Sequence, residues 1–376
     1  MTSTVPAPAD TKGARRRARF HSLEVTAVRP LTDDSIEVTF AIPEALSENY
    51  RYAPGQYIAV RTALDGEHVR RSYSICQAPV PGELKVAIKR DLGGLFSSWA
   101  IENLRPGMAL DVMSPEGLFT SRLETTTGTH FVGIAAGSGI TPMMALIESA
   151  LKASPENQFS LIYSNRTAMD TMFIDELADL KDKYTARLAL HHLLTRERRS
   201  SDLLSGRLDS ARLRAILDAL IRPSDVDEWF ICGPFDLVQL CRDTLAELGV
   251  DASTIRYELF TTGRPERPAG QSGRPIDASE TREVHTISFR LDGTTATVTS
   301  PVRSNESILN AALRVRGDVP FACAGGVCGT CRAVLREGTV EMAENYVLEP
   351  EELERGYVLT CQSVPTSKKV MVDYDT

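Results

Sequence analysis

The sequence predicts a multidomain protein in which an antiparallel β-barrel, an α/β domain with a parallel sheet and a small cysteine-bearing domain follow one another. Residues 20–125 contain short alternating runs separated by Pro and Gly, which are typical of antiparallel strands in a barrel. Residues 126–262 alternate apolar strands with amphipathic helices, which is the pattern of a parallel sheet. Residues 284–376 contain four cysteines at a distinctive spacing and form the third predicted domain.

The segments that flank these domains differ in composition. Residues 1–19 combine Thr, Pro, Ala and Ser with five basic residues, so we expect a flexible basic tail. Residues 263–283 contain repeated Gly and Pro, sustain neither the helical nor the strand period, and are predicted to be a linker.

Composition excludes several classes of function. A length of 376 residues with 42% apolar residues is ordinary for a globular protein of two or three domains. A net charge of −8 argues against nucleic acid as a general partner, because phosphate binding requires basic surface. The apolar runs are too short to span a membrane and no apolar signal segment opens the chain. We therefore expect a cytoplasmic protein with no membrane partner.

The strands and helices of the first two domains can be placed from the periodicity. The predicted barrel strands are Gln56–Val60, Arg71–Cys76 and Leu84–Lys89, and a helix is predicted at Trp99–Leu104. The predicted parallel strands are Phe131–Ala135, Phe159–Tyr163, Leu188–Leu194 and Trp229–Cys232, with helices at Met143–Leu151 and Leu237–Leu248.

The most specific chemical signal is the cysteine spacing in the third domain. Cys323, Cys328 and Cys331 form a C-x4-C-x2-C run, and Cys361 follows after 29 residues. This spacing matches the plant-type pattern for four thiolate ligands of a [2Fe-2S] cluster. A zinc site would favour two C-x2-C pairs, and disulfides would require an oxidising compartment and leave one of seven cysteines over. We therefore predict a [2Fe-2S] cluster with these four ligands.

Two short strings in the barrel segment suit a flat, phosphorylated cofactor. Alternation places Arg71 and Tyr73 on one face of a strand and Ser72 and Ser74 on the other. A guanidinium binds a diphosphate through paired hydrogen bonds, and an aromatic ring provides a stacking surface. Glycines and hydroxyls at 93–98 precede a helix and would form an anion site at its start. Each string alone could equally be a polar strand or a helix cap.

The second domain opens with a strand that runs directly into a glycine turn. Gly137 and Gly139 allow a tight turn and close approach to a diphosphate, Thr141 supplies a hydroxyl, and Pro142 suits the first helical turn. A strand, a glycine turn and a helix in this order are the required context for a dinucleotide site. Pro142 replaces the third glycine of the usual fingerprint.

These strings together resemble the ferredoxin-NADP reductase family, through R-x-Y-S at Arg71–Ser74, G-G-x-x-S at 93–97, G-x-G-x-x-P at 137–142, C-G-P at Cys232–Pro234 and E-x-F at Glu258–Phe260. The resemblance implies an FAD that stacks on Tyr73, with Ser74 near its reactive nitrogen and Arg71 on its pyrophosphate. It places Cys232 and Glu258 beside the nicotinamide and Phe260 beside the flavin. The implied orienting groups at the reaction centre are Ser74, Cys232 and Glu258. The other implied cofactor contacts are Ser72, Ile88, Lys89, Gly94, Leu95, Phe96, Ser97, Ser98, Ser138, Ser164, Arg166, Gly233 and Pro234.

The choice of coenzyme depends on the end of the second parallel strand. A carboxylate there would favour NADH, whereas a cation would favour the 2′-phosphate of NADPH. The sequence reads Tyr163, Ser164, Asn165, Arg166, Thr167, with one Arg and no acid. We therefore expect NADPH, with NADH possible, since similar family members with this Arg use NADH.

The order of flavin, nucleotide and ferredoxin domains, with strings such as Gly356–Gln362, resembles the reductase components of multicomponent monooxygenases, and closely those of bacterial phenylacetyl-CoA epoxidases. This resemblance implies an α+β ferredoxin-like (β-grasp) third domain and an oxygenase component as protein electron acceptor. A flavin converts the two electrons of a hydride into single electrons for a cluster. The alternatives are the reductase of a steroid or ring-hydroxylating oxygenase and a redox-sensing module.

An acidic stretch after the third cysteine could steer a basic partner or be only a solvated helix face. It consists of Glu341, Glu344, Glu349, Glu351, Glu352 and Glu354.

Overall fold

A computed structural model describes residues 3–6, 19–64, 67–91, 94–117, 119–198, 201–260, 283–316, 319–321, 326, 329–343, 345, 348 and 350–375. These residues form two compact units. One contains the described residues between 22 and 59 and between 73 and 260, and the other contains the remaining described residues.

Six strands form the sheet of the first predicted domain. Their bounds are β2 Phe20–Thr32, β3 Ser35–Ala41, β4 Tyr57–Leu64, β5 Glu67–Ser74, β6 Glu83–Lys89 and β7 Ala109–Met113, with helix α1 at Leu95–Asn103. The strand order is β5-β4-β7-β2-β3-β6, and β3 pairs antiparallel with both β2 and β6. An antiparallel bridge joins Ile75, directly after β5, to Val86 of β6. This bridge connects the two edge strands, as a closed barrel requires.

A five-stranded parallel sheet forms the second predicted domain. Its strands are β8 His130–Ala136, β9 Gln158–Asn165, β10 Leu188–Leu194, β11 Glu228–Gly233 and β12 Ile255–Leu259. Its helices are α2 Ile140–Ala153, α3 Ile174–Lys183, α4 Ser210–Leu220 and α5 Phe235–Glu247. The order β10-β9-β8-β11-β12 reverses direction between β8 and β11. Ligands of such sheets bind at the carboxyl ends of the strands on either side of this reversal.

The third predicted domain has a mixed sheet. Its strands are β13 Val284–Leu291, β14 Thr294–Pro301, β15 Arg332–Glu337, β16 Thr339–Met342, β17 Tyr357–Leu359, β18 Ser363–Pro365 and β19 Lys369–Asp373, with helices α6 Ile308–Leu313 and α7 Pro350–Glu354. The sheet order is β14-β13-β19-β15-β17. An antiparallel hairpin of β13 and β14 lies beside β19, which runs parallel to β13. Helix α6 packs against this sheet through buried Ile308 and Leu309, which confirms the α+β fold expected from the resemblance.

A second, three-stranded sheet includes a strand from the predicted tail. Strand β1, Ser3–Pro6, pairs antiparallel with β16, which also pairs with β18. The edge of β16 offers backbone donors and acceptors, so a short extended segment can pair there although the composition suggested a flexible tail. The rest of the tail up to residue 18 and the linker up to residue 282 lie outside the described residues.

The predicted strands and helices are confirmed, with changes at their ends. Strand β5 begins four residues earlier than predicted and ends at Ser74 rather than Cys76. Helix α1 begins at Leu95 and not at Trp99, because Gly94 serves as its N-cap. Phe96, Ser97 and Ser98 therefore belong to the first turns of the helix instead of preceding it. Among the described residues, no helix is both long enough and apolar enough to cross a membrane.

Candidate functional site

Three polar side chains from distant parts of the sequence meet at the carboxyl end of the parallel sheet. Ser74 ends β5 of the barrel, while Cys232 and Glu258 are paired residues of the parallel strands β11 and β12. Ser74 Oγ donates a hydrogen bond to Glu258 Oε2 at 3.1 Å, and Cys232 Sγ lies 4.0 Å from the same oxygen. The structure therefore brings together the three residues predicted to orient the reaction centre.

The electrostatics of this group favour proton exchange at the carboxyl and not at the thiol. Burial raises the pKa of Glu258 to about 7, and the hydrogen bond from Ser74 opposes part of that rise. Burial and the nearby Glu258 raise the pKa of the Cys232 thiol well above its usual range. Near neutral pH Glu258 can hold or release a proton at its carboxyl oxygen, whereas Cys232 stays a neutral donor.

The glycine turn of the nucleotide domain lies directly against β11. Gly137 has a φ of +52°, which favours glycine, and Tyr163 Oη donates a hydrogen bond to its carbonyl at 3.0 Å. A Cβ at Gly139 would lie 2.2 Å from the Cys232 carbonyl oxygen, so only glycine fits there. These contacts fix the turn beside Cys232.

The start of α2 fits a diphosphate. No side chain caps the N-terminus of α2, and the Ile140 amide donates to the carbonyls of Gly137 and Ser138, so the helix start fits a diphosphate through its dipole and its other amide groups. Thr141 Oγ1 donates to the Ser138 carbonyl at 3.0 Å, so this hydroxyl stabilises the turn. Pro142 is buried in the first turn, as predicted. Across the site, the Phe260 amide donates to the Gly233 carbonyl at 2.8 Å, which fixes the segment after β12.

The predicted flavin residues lie on β5, β6 and α1. Tyr73 is partly buried, and its ring centroid lies 5.8 Å from that of buried Phe96, so Phe96 supports the proposed stacking residue from inside the protein. Ser97 Oγ accepts a hydrogen bond from the Asp91 amide at 3.0 Å. No side chain caps α1 at Gly94, so its first amide groups fit a phosphate. These observations fit the flavin, and the individual roles stay predictions.

The remaining predicted flavin residues have more varied surroundings. Arg71 is partly buried, and its Nη1 donates to the Arg70 carbonyl at 2.8 Å. Ile88 is almost fully buried in the core, whereas Lys89 Nζ lies 3.1 Å from Asp34 Oδ1. Gly93 lies outside the described residues.

The expected coenzyme-selecting position is more acidic than the sequence suggested. Ser164 is buried at the end of β9, and Arg166 follows the strand with its side chain 49% exposed. Arg166 Nη2 lies 2.7 Å from Asp170 Oδ1 and 3.6 Å from Asp34 Oδ2. Burial acts to raise the pKa of Asp170, but hydrogen bonding to Thr167 and the charge of Arg166 lower it below its usual value. Both carboxylates lie outside residues 163–167, so the prediction made from those five residues did not include them.

Two of the four predicted cluster ligands lie within the described residues. Cys331 and Cys361 are buried, while Cys323 and Cys328 lie outside the described residues. The Cys331 carbonyl accepts hydrogen bonds from the Thr360 amide at 3.2 Å and from Thr360 Oγ1 at 2.9 Å. These bonds hold the two ligand segments side by side. The thiols fit a cluster, which when bound accepts and releases single electrons.

The sequence reasoning missed the support behind these ligands. Tyr374 Oη donates to Thr360 Oγ1 at 2.9 Å, and burial raises the Tyr374 pKa so that the hydroxyl stays protonated. The position of Thr360 directly before Cys361 could have indicated a role near the cluster. No sequence motif links Tyr374 to the cluster, because it contacts Thr360 only in the folded chain. The prediction that Glu352 belongs to an acidic surface is wrong. Glu352 is buried, and its Oε1 lies 2.5 Å from Arg332 Nη1.

The rest of the predicted acidic stretch is only partly described. Glu341, Glu351 and Glu354 are exposed, as a docking surface would require. Glu344 and Glu349 lie outside the described residues.

Fold and site together define a flavin-dependent NAD(P)H oxidoreductase with an iron–sulfur domain. Three family models match the chain in the predicted order: an oxidoreductase FAD-binding domain at 22–121, an oxidoreductase NAD-binding domain at 134–243 and a 2Fe-2S iron-sulfur cluster binding domain at 289–366. FAD, a nicotinamide nucleotide and a [2Fe-2S] cluster are thus its cofactors.

Comparison with known proteins assigns this chain to a family within that class. The chain is 44% identical to one subunit of the 1,2-phenylacetyl-CoA epoxidase of Escherichia coli K12, over 95% of this chain and 98% of that protein. It is 36% identical to the ferredoxin reductase component of a 3-ketosteroid-9-alpha-monooxygenase of Mycobacterium tuberculosis, over 94% and 95%. The chain belongs to the family of these oxygenase reductases. Phthalate dioxygenase reductase shares the fold, with a TM-score of 0.56 and 23% identity over 94% of this chain and 98% of that one.

Proposed function

We propose that this protein is the reductase component of a phenylacetyl-CoA epoxidase, which takes a hydride from NADPH and delivers single electrons through FAD and the [2Fe-2S] cluster to a di-iron oxygenase component. The observation that carries the reductase function is the convergence of Ser74, Cys232 and Glu258 beside the glycine turn. In such a site the protein supplies position and electrostatics, and the cofactors supply the redox chemistry.

The residues of the site have distinct proposed roles. The amide groups at the start of α2 bind the coenzyme diphosphate, and the close contact of Gly139 with Cys232 fixes the distance from that diphosphate to the carboxyl end of β11. Cys232 and Glu258 border the nicotinamide, while Ser74 donates to Glu258 and orients its carboxyl. Because Glu258 titrates near neutral pH, it adjusts the local charge during hydride transfer.

The test of the reductase function is anaerobic reduction of the FAD- and cluster-loaded protein. Addition of NADPH is expected to bleach the visible bands of both flavin and cluster. The proposal is wrong if the cluster stays oxidised while the flavin is reduced. Rapid reduction of a small dye by NADPH would also exclude a degenerate redox-sensing module.

The choice of partner is supported by sequence identity, which is 44% to the epoxidase subunit and 36% to the steroid monooxygenase reductase. Because the second identity is also substantial, the second candidate function is a reductase that supplies a steroid or ring-hydroxylating oxygenase with electrons from NADH. The two are separated by mixing this protein with an epoxidase oxygenase component or a steroid oxygenase component. We expect coupled coenzyme and substrate consumption with the epoxidase component and only uncoupled oxygen reduction with the other.

We also propose that NADPH is preferred and NADH is accepted. Arg166 at the end of β9 is placed to bind a 2′-phosphate, as an Arg near this position does in dinucleotide sites. Arg166→Gln is expected to raise the KM for NADPH by about tenfold, the effect of one lost charged contact, with a smaller change for NADH. Equal changes for both coenzymes would contradict this assignment.

A further inference from the structure

Arg166 is shared between two carboxylates that come from different domains. Asp170 belongs to the loop after β9, while Asp34 lies in the turn between β2 and β3 of the barrel. Both Asp34 Oδ2, at 3.6 Å, and Asp170 Oδ1, at 2.7 Å, approach the same nitrogen, Nη2 of Arg166. A 2′-phosphate that binds Arg166 must therefore approach a cation whose charge is already partly neutralised.

The position of Asp34 is fixed by contacts on several sides. Its carboxylate accepts a hydrogen bond from Thr32 Oγ1 at 2.8 Å and pairs with Lys89 Nζ at 3.1 Å. Its own carbonyl accepts from the Arg90 amide at 2.7 Å. Because these contacts hold the carboxylate, it cannot simply swing away when an anion approaches Arg166.

We propose that Asp34 is a specificity-determining residue for the coenzyme, a role that rests on the proposed function. Its negative charge competes with the 2′-phosphate of NADPH for Arg166, whereas the uncharged 2′-hydroxyl of NADH does not compete for that cation. A phosphate monoester carries a charge of about −1.5 to −2 at pH 7, so the penalty falls almost entirely on NADPH. Asp34 thus reduces the preference for NADPH that Arg166 provides.

The proposal has a reciprocal consequence. If Asp34 and the 2′-phosphate compete for Arg166, binding of the phosphate weakens the contact between Arg166 and the barrel turn by the same factor. Asp170 differs from Asp34, because it lies in the same loop as Arg166 and can accept a hydrogen bond from a ribose hydroxyl.

The experiment measures binding of two probes to the FAD-loaded full chain by calorimetry. Adenosine 2′,5′-bisphosphate and 5′-AMP differ only in the 2′-phosphate. Asp34→Asn is expected to tighten binding of the bisphosphate about fivefold, the scale of one partly exposed ion pair, and to leave 5′-AMP unchanged. The ratio of kcat/KM for NADPH over that for NADH should rise by the same factor.

The neighbouring Asp33 provides a matched control. Asp33 lies in the same turn and is exposed, and Asp33→Asn makes the same change in net charge. It is expected to leave the affinity ratio of the two probes at the wild-type value. A similar rise in Asp33→Asn would show that net charge and not the Arg166 contact is responsible, and would overturn the proposal.

Two further variants keep the proposal testable. Asp34→Ser removes the charge but keeps an oxygen for Thr32, so it serves if Asp34→Asn does not fold. In an Arg166→Gln background, Asp34→Asn should no longer alter the ratio of the probes. The proposal is overturned if neutral variants of Asp34 leave the ratio unchanged, or if their effect persists without Arg166. Failure of the proposed function is distinguishable, because it would show as absent NAD(P)H-dependent reduction in the wild-type protein.

Discussion

The junction of Ser74, Cys232 and Glu258 and the cluster-ligand region of Cys331 and Cys361 are both buried, yet they are held by different kinds of interaction. At the junction, two side chains point at one carboxyl whose pKa is raised to about 7. At the cluster-ligand region, the neutral hydroxyls of Thr360 and Tyr374 and a backbone amide hold the chain. The junction should therefore respond to pH, whereas the cluster-ligand region should respond mainly to the loss of individual donors.

The largest expected effect is the loss of a cluster ligand. Cys331→Ser should prevent assembly of a stable cluster, because four thiolates are needed, while flavin reduction by NADPH continues. The absorbance of the cluster and its electron paramagnetic resonance signal after reduction provide the measurement. Cys241→Ser is the control, since Cys241 is buried in α5 and outside the predicted ligand set. Retention of a wild-type signal in Cys331→Ser would exclude Cys331 as a ligand.

The next effect tests the packing that supports the junction. Gly139→Ala places a Cβ 2.2 Å from the Cys232 carbonyl oxygen, so the turn or β11 must move. Displacement of this kind can slow a positioned reaction about 100-fold, and we expect such a loss in the rate of flavin reduction. Stopped-flow reduction by NADPH measures it, with Ser149→Ala in α2 as the control, because Ser149 lies outside the predicted cofactor contacts. A normal rate in Gly139→Ala would show that this contact does not set the distance.

A smaller effect is expected from removing the titrating carboxyl. Glu258→Gln should lower the rate of flavin reduction by about tenfold and flatten its pH dependence around pH 7. The measurement is the rate between pH 5.5 and 8.5, a range spanning roughly one and a half units on each side of that pKa. A pH profile identical to that of the wild type would identify another group as the source of the dependence.

The raised pKa of Glu258 also predicts the direction in which the stability of the protein changes with pH. Its folded pKa of about 7 exceeds the ordinary value of 4.5, so the folded state binds more protons between these pH values. Stability contributed by this group is complete below about pH 4.5 and falls as pH rises towards 7, by roughly 3 kcal/mol in total. Urea unfolding of the wild type and Glu258→Gln at several pH values should show that the variant lacks this decline. Parallel curves would contradict the raised pKa.

The smallest effect is expected at the cluster-ligand region. Tyr374→Phe removes one hydroxyl that donates to Thr360, and the free energy of unfolding should fall by about 1 kcal/mol. The resonance spectrum of the reduced cluster should shift slightly, because Thr360 contacts the carbonyl of Cys331. Unlike Glu258→Gln, this variant should leave the pH profile of flavin reduction unchanged. An altered pH profile would show that the cluster-ligand region affects titration at the junction, which contradicts their separate responses.

The sequence predicted local features well and tertiary contacts poorly. The parallel strands and the glycine turn were predictable because hydrophobic period and backbone conformation are encoded by neighbouring residues. The pairing of Cys232 with Glu258 depends on the register of β11 and β12, which only the resemblance could anticipate. Asp34 and Tyr374 could not be predicted at all, because their partners are remote in sequence and neither residue lies in a recognisable motif.

The buried, protonated state of the non-ligand thiols has a practical consequence for chemical labelling. Burial raises the pKa of Cys76, Cys232 and Cys241, and alkylating reagents react with exposed thiolates. A brief iodoacetamide treatment of the folded protein without its cluster should therefore spare these three residues. Mass spectrometry of the peptides that contain Cys76, Cys232 and Cys241 would then show all three thiols unlabelled.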